Sequence, residues 1–131
     1  MLFRSAPQML KEDNRYLCDK CKAKRIASKR IHLTNWKKYL IVCLKRFTYD
    51  SKGNLKKNNS EITCPYFWRH NYILVGGVIH HGSLNGGHYV YFGRYDKKWF
   101  LFNDSNVSEL PINHVDKLKK NAYILLYEQI H

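Results

Sequence analysis

His88 follows a glycine-rich run, Gly82-Ser83-Leu84-Asn85-Gly86-Gly87, and precedes the pair Asn103-Asp104 by about one strand, a turn and a second strand. Imidazole takes up and returns a proton near neutral pH, so it is the natural general base and acid. A base of this kind needs a third group to fix its tautomer and ring orientation. Asn103 and Asp104 both qualify, and the sequence leaves open which of them faces the ring. The glycines permit positive φ and leave room beside the imidazole. A second grouping, Cys18-Asp19-Lys20-Cys21, has the spacing at which two thiolates meet one zinc ion, whereas a structural site needs four ligands. The remaining cysteines do not complete it. Cys43 stands among Leu40, Val42 and Leu44 and reads as a small apolar residue, and Cys64 is followed by Pro65. His32 would add one ligand and leave the site short. No βαβ pattern surrounds the motif to favour a redox dithiol.

The elements that must position these groups are strands. Tyr72 to Ile79 is apolar and β-prone, interrupted by Gly76-Gly77; His88 to Tyr95 and Lys98 to Phe102 alternate in hydrophobicity. Pairing the last two antiparallel would bring Asn103 or Asp104 back toward His88. Upstream, Ile26 to Leu33 and Tyr39 to Phe47 read as strands joined by a turn at residues 35–38. Asp50 to Ser60 reads as a polar loop. Pro111 to Lys120 is at most a short helix, and Ala122 to Tyr127 a closing strand. Residues 1–14 read as a poorly defined extension, with Gln8 to Asp13 a candidate short helix. The expected fold class is α+β, mostly antiparallel β.

At 131 residues, with 44% hydrophobic and 15% aromatic residues, the chain fits one domain with a core of its own. No apolar run has the length of a membrane helix. No basic segment followed by a long apolar stretch marks a secretory leader. Four cysteines without such a leader point to a reducing compartment, cytoplasmic or nuclear. The net charge of +13 raises nucleic acid as a partner. The basic residues are dispersed, however, with small clusters at residues 20–30, 52–57 and 117–120, and no nucleic-acid-binding signature accompanies them. Solvated loops account for the charge, and neither nucleic acid nor membrane is expected as a partner.

Gly87-His88-Tyr89, Trp99 and Phe102-Asn103-Asp104-Ser105 with Val107 and Ser108 resemble the histidine box of the ubiquitin-specific proteases, papain-like cysteine deubiquitinases. Tyr72-x-Leu74, Val78-Ile79-His80 and Gly82 resemble the strand before that box. Leu40-Ile-Val-Cys-Leu44-Lys45-Arg46-Phe47 is similar to a core strand of the family's palm. Trp36-Lys37 stands where the family has Leu-Pro. Ile62-Thr63-Cys64-Pro65 resembles a short edge strand, and Ala122 to Tyr127 the closing strand. Cys18 and Cys21 resemble the second of two fingertip cysteine knuckles. The resemblance covers residues 15 to 128.

It implies the palm and part of the fingers of a papain-like fold, with residues 15–131 as the C-terminal part of the catalytic domain and the helical thumb absent. It implies His88 as base and then acid, Asn103 or Asp104 as orienter, and Gly86, Gly87 and Tyr89 along the path of the ubiquitin tail. It implies no cofactor, with zinc only if a second cysteine pair joins Cys18 and Cys21. The family's nucleophile lies in an Asn-Thr-Cys box at a helix N-terminus, where the thiol pKa is lowered. None of the four cysteines here has that context. The chain therefore reads as the base-carrying part of a deubiquitinase acting on ubiquitin or ubiquitinated protein, its thumb supplied elsewhere and in one version by a separate chain. The alternatives are an inactive ubiquitin-binding remnant and, from another class, a basic nucleic-acid-binding module.

Overall fold

The computed structural model describes residues 7–31, 34–83 and 86–130. It divides into two compact units, Met1–Trp36 and Lys37–His131.

The first unit is two small antiparallel pairs: β1 (Gln8–Leu10) with β4 (Ala27–Lys29), and β2 (Tyr16–Leu17) with β3 (Lys24–Arg25). The helix anticipated over Gln8 to Asp13 is instead β1 and a single 3₁₀ turn at Glu12–Asn14. So short a stretch cannot offset the cost of helix nucleation, and β4 offers it a ladder. The strand anticipated over Ile26 to Leu33 is divided at Ile26, whose side chain is exposed. His32 and Leu33 lie outside the described residues.

In the second unit, β5 (Tyr39–Cys43), β8 (Phe67–Trp68), β9 (Tyr72–Gly82), β10 (Gly87–Tyr95), β11 (Lys98–Asn103), β12 (Asn106–Leu110) and β13 (Ile124–Gln129) form one antiparallel sheet. Its order is β12-β11-β10-β9-β13-β5, with β8 also paired to β9. A separate hairpin joins β6 (Phe47–Tyr49) to β7 (Leu55–Lys57). The one helix among the described residues, α1 (Ile112–Lys120), starts after Pro111, whose fixed φ suits a helix start. It is far too short to cross a membrane, and no other described helix is long and apolar enough to do so.

Alternation decides which face is buried. Val42, Leu125, Ile79, Val90, Phe92 and Trp99 fall on one face and are buried with Val115 of α1. Trp68 packs edge-on against Tyr127, and Tyr66 lies beside Trp99. The opposite face carries Ile41, Tyr89, Phe102 and Val107, all exposed, so the apolar face expected for this part of the family's domain is present. Gly76-Gly77 does not interrupt β9. A Cβ at Gly76 would strike the Tyr91 ring on one face, and one at Gly77 the Phe92 ring on the other at 2.7 Å. The pair lets two aromatic rings lie flat on opposite sides of a continuous strand.

Other expectations are corrected. Tyr39 to Phe47 is not a single strand: the chain turns at Leu44–Arg46, where the Arg46 N–H reaches the Leu44 carbonyl at 2.7 Å and the Arg46 side chain goes inward. Asp50 to Ser60 is not all loop. The Asp50 carboxylate accepts from the N–H groups of Lys52 and Asn54, each at 2.8 Å, closing the β6–β7 turn with Gly53 at φ +81°. Residues 61–65 form no strand; Cys64 is buried there, its thiol 3.2 Å from the Tyr127 hydroxyl. The closing strand lies inside the sheet, between β9 and β5. Cys43 is exposed, on the apolar face.

Candidate active site

Two tight turns aim the site. Asp96 and Lys97 both have positive φ, the geometry of a two-residue hairpin turn whose twist matches its strands, and they set the register of β10 against β11. In that register Tyr91 opposes Phe102. Continued by one step it sets Val90 opposite Asn103, which makes His88 the diagonal neighbour of Asn103 on the same face. Such diagonal neighbours are about 7–8 Å apart at the backbone, within reach of an imidazole and an amide. The next hairpin turns at Asp104, held at φ +52°, so the Asp104 side chain leaves the ladder.

The side chains follow. His88 Nε2 hydrogen-bonds Asn103 Oδ1. Because an amide oxygen only accepts, Nε2 carries the proton and Nδ1 is left as the lone-pair nitrogen. Asp104 Oδ2 lies 3.8 Å from the same Nε2, with its side chain 79% exposed against 46% for His88. Both candidates are therefore near the ring, and Asn103 makes the hydrogen bond.

The loop before His88 is shaped on one side by Gly82, at φ +113°; Leu84 and Asn85 lie outside the described residues. A Cβ on Gly86 would meet nothing within 4 Å, whereas one on Gly87 would strike the His80 ring and the His81 carbonyl. Gly86 thus borders open space and Gly87 is a packing position. Gly86→Val is expected to leave the thermal melting point within a few degrees while narrowing the approach to His88. Gly87→Val should lower it by several degrees, since the Cβ forces β9 and β10 apart; a domain of this size shifts by roughly 4–8 °C per kcal/mol. Equal melting points for the two variants would contradict this division. Tyr89 packs against His80 with ring centroids 4.7 Å apart and planes inclined by 45°, on the face turned away from His88. Any substrate contact it makes lies on that face.

No thiol of the second unit accompanies the imidazole. Cys43 belongs to the opposite sheet face, three strands away from β10. Cys64 is buried beside Tyr127, and burial pushes its thiol pKa up, the state of an inert structural cysteine. In the first unit, Cys18 and Cys21 flank a tight turn closed by Lys22 N–H to the Cys18 carbonyl at 2.8 Å, with Lys22 at φ +50°. The Cys21 thiol is held below its ordinary pKa, mainly by hydrogen bonding with Arg25 and then by the Ala23 backbone and Cys18. Among the described residues no group of three or more His, Cys, Asp or Glu side chains is placed to share a metal ion.

The sequence signals did not single out Arg46 or Lys57 as anchors. Arg46 is 6% exposed and its guanidinium donates to four carbonyls: Ala122 at 2.7 Å, Asn58 at 3.0 Å, Ser60 at 2.9 Å and Lys120 at 3.0 Å. Lys120 is the last residue of α1 and Ala122 lies just past its C-cap; the Lys120 carbonyl also accepts the Ile62 N–H at 3.0 Å. The Lys57 ammonium donates to the carbonyls of His80 at 2.8 Å and Gly82 at 2.9 Å. Only a run of basic residues marks either position in the sequence; their partners are set by tertiary register.

A family model for ubiquitin carboxyl-terminal hydrolase matches residues 9–127. Ubiquitin carboxyl-terminal hydrolase 17 of Arabidopsis thaliana is 34% identical over 137 residues, covering 94% of this chain and 18% of the relative. Ubiquitin carboxyl-terminal hydrolase 3 of Homo sapiens is 32% identical over 134 residues, covering 90% of this chain and 25% of the relative. A chain of the yeast SAGA DUB module superposes with a TM-score of 0.83 at 31% identity, covering 96% of this chain and 31% of that one. A chain of the SAGA DUB module bound to monoubiquitin gives 0.82 at 31% identity, with 96% and 30% covered. The chain thus spans no more than about a third of any of these relatives. With a family model matching residues 9–127, a relative 34% identical over 94% of the chain and the same antiparallel fold in solved relatives, the chain belongs to the ubiquitin carboxyl-terminal hydrolase family.

Proposed function

We propose that this chain supplies the base-carrying part of a thiol-dependent deubiquitinase, which hydrolyses the isopeptide bond after the C-terminal glycine of ubiquitin when a thiol is provided by residues outside this stretch. The observation that carries the reading is the His88–Asn103 hydrogen bond, with open space at nearby Gly86. In this reading residues 15–131 are the C-terminal part of the catalytic domain.

The chemistry follows from the tautomer. His88 Nδ1 takes the proton of the incoming thiol, giving a thiolate–imidazolium pair. The thiolate attacks the glycine carbonyl, and the imidazolium returns its proton to the departing lysine amine. His88 then deprotonates the water that cleaves the thioester, releasing the ubiquitin carboxylate and restoring the thiol. An amide suffices as orienter, because the charged pair forms without a carboxylate. Asp104 adds a negative charge near the imidazolium from the solvent side. Gly86 leaves the passage through which the extended tail arrives.

The test is reaction with ubiquitin bearing an electrophilic C-terminus. The chain alone is expected to form no adduct. Mixed with a thumb segment containing an Asn-Thr-Cys box, it should give an adduct on the added thiol that His88→Ala abolishes. Labelling of Cys43 or Cys64 in the chain alone would refute the proposal. Retained ubiquitin binding with no labelling in either arrangement would replace it with the remnant reading.

Zinc belongs to the same reading as a structural group that needs a second cysteine pair beside Cys18 and Cys21. We expect the purified chain to hold less than one tightly bound zinc per molecule, because metal affinity depends steeply on a complete ligand set. Elemental analysis after dialysis against a weak chelator checks this, and a stoichiometric resistant zinc would show that two chains share one site or that further ligands exist.

A further inference from the structure

We propose that Lys57 is a positioning residue for His88, standing in for a strand that the sheet lacks at its catalytic end. This rests on the reading of His88 as the base. In an antiparallel ladder the carbonyls of alternate residues point to the same edge. On β9 the Val78 carbonyl points toward β13 and accepts the Tyr123 N–H at 2.7 Å. The carbonyls of His80 and Gly82 point to that same edge, yet the pairing of β13 with β9 begins at Ile124 and Val78 and continues away from them. Two strand carbonyls are thus left without ladder partners at the end of β9 that carries the catalytic loop.

Lys57, at the end of the β6–β7 hairpin, supplies the missing donors, bonding the His80 carbonyl at 2.8 Å and the Gly82 carbonyl at 2.9 Å. A single ammonium has donors enough for both and adds a charge-assisted component. Between these two residues lies His81, which faces the other edge and is the register partner of His88. The chain of constraint runs from Lys57 to the rim of β9, then through the His81–His88 pair to the imidazole. The neighbouring ring of His80 has its pKa lowered, by burial first and by the Lys57 charge second. Without Lys57 the last two residue pairs of the β9–β10 ladder, Gly82–Gly87 and His81–His88, would open to solvent at one edge. A base displaced by about 1 Å can cost roughly 10²-fold in rate.

The experiment compares Lys57→Met, Lys57→Arg and His88→Ala in the full chain. Amide hydrogen exchange is measured on the chain and kcat and KM on the enzyme reconstituted with the thumb segment. Lys57→Met should raise exchange at His81 and His88 by about tenfold or more, leave Tyr91 to Arg94 unchanged, and lower kcat about 10–10²-fold with KM within about twofold. Lys57→Arg, which keeps charge and donors, should recover most of both. Unchanged exchange and kcat in Lys57→Met, while His88→Ala abolishes turnover, would overturn the proposal and leave the catalytic reading standing. Exchange raised everywhere would also overturn it, by making Lys57 a general stabiliser. Turnover unaffected by His88→Ala would instead remove the reading on which the proposal rests, and with it the proposal.

Discussion

His88→Ala is expected to lower turnover of the reconstituted enzyme by about 10²–10⁴-fold, the usual contribution of a positioned acid–base group. The loss should fall on kcat, because the imidazole acts on protons in flight rather than on binding. Affinity for ubiquitin should stay within about twofold. Asn103→Ala should have the same sign and a smaller size, about 10–10²-fold, since the ring keeps its basicity and loses its orientation. Asp104→Asn separates the two neighbours. Its carboxylate lies 3.8 Å from Nε2 and is largely exposed, where water screens the interaction. The expected change is no more than a few-fold, weakening further with added salt. Stopped-flow hydrolysis of a ubiquitin C-terminal ester checks the series. A loss from Asp104→Asn exceeding that from Asn103→Ala would assign the orienting role to the carboxylate.

Arg46→Ala carries the largest expected effect on stability. The guanidinium holds four carbonyls in a site from which water is mostly excluded, and among the described residues no side-chain carboxylate pairs with it. Removing it deprives the Ala122, Asn58 and Ser60 carbonyls of this donor, while the Lys120 carbonyl keeps the Ile62 N–H; an unsatisfied buried acceptor costs about 1–3 kcal/mol, with partial relief as water enters. A net loss of roughly 3–5 kcal/mol is expected, as for breaking a buried charged network. Against a total of about 5–15 kcal/mol for a domain, that brings the chain close to unfolding at room temperature. Lys cannot span four acceptors in a plane, so Arg46→Lys should recover only part. Urea denaturation with linear extrapolation measures the difference, and a loss below about 1 kcal/mol would mean that water serves these carbonyls equally well.

The bond made by Arg46 also shows where local sequence information stops. Leu44-Lys45-Arg46-Phe47 has the composition of a strand, and in isolation nothing distinguishes it from one. The chain breaks there, and the Arg46 side chain turns inward to donate to carbonyls far away in sequence, at Lys120 and Ala122. The same holds at residues 61–65, where proximity to Tyr127 and α1 prevails over a β-prone composition.

Local sequence fixed the parts of the site that depend on side-chain period and turn chemistry. The alternation of His88 to Tyr95 and Lys98 to Phe102 required an antiparallel pair, and that pair had to return the Asn103-Asp104 segment toward His88. Cys64, followed by a proline, reads as a structural thiol and is buried beside Tyr127, whereas Cys43, whose apolar neighbours suggest a core position, is exposed. Tertiary structure decided the rest, through register. A strand's faces exchange with every one-residue slip, so only the observed pairing sets Asn103 on the face of His88 and turns Asp104 outward. Strand alternation alone puts Tyr89 on the face opposite His88, but only the packing makes Gly87 a contact and Gly86 an opening. Only the early end of β13 leaves two carbonyls for Lys57. These are choices among locally equivalent alternatives, and the energy that separates them comes from partners distant in the chain.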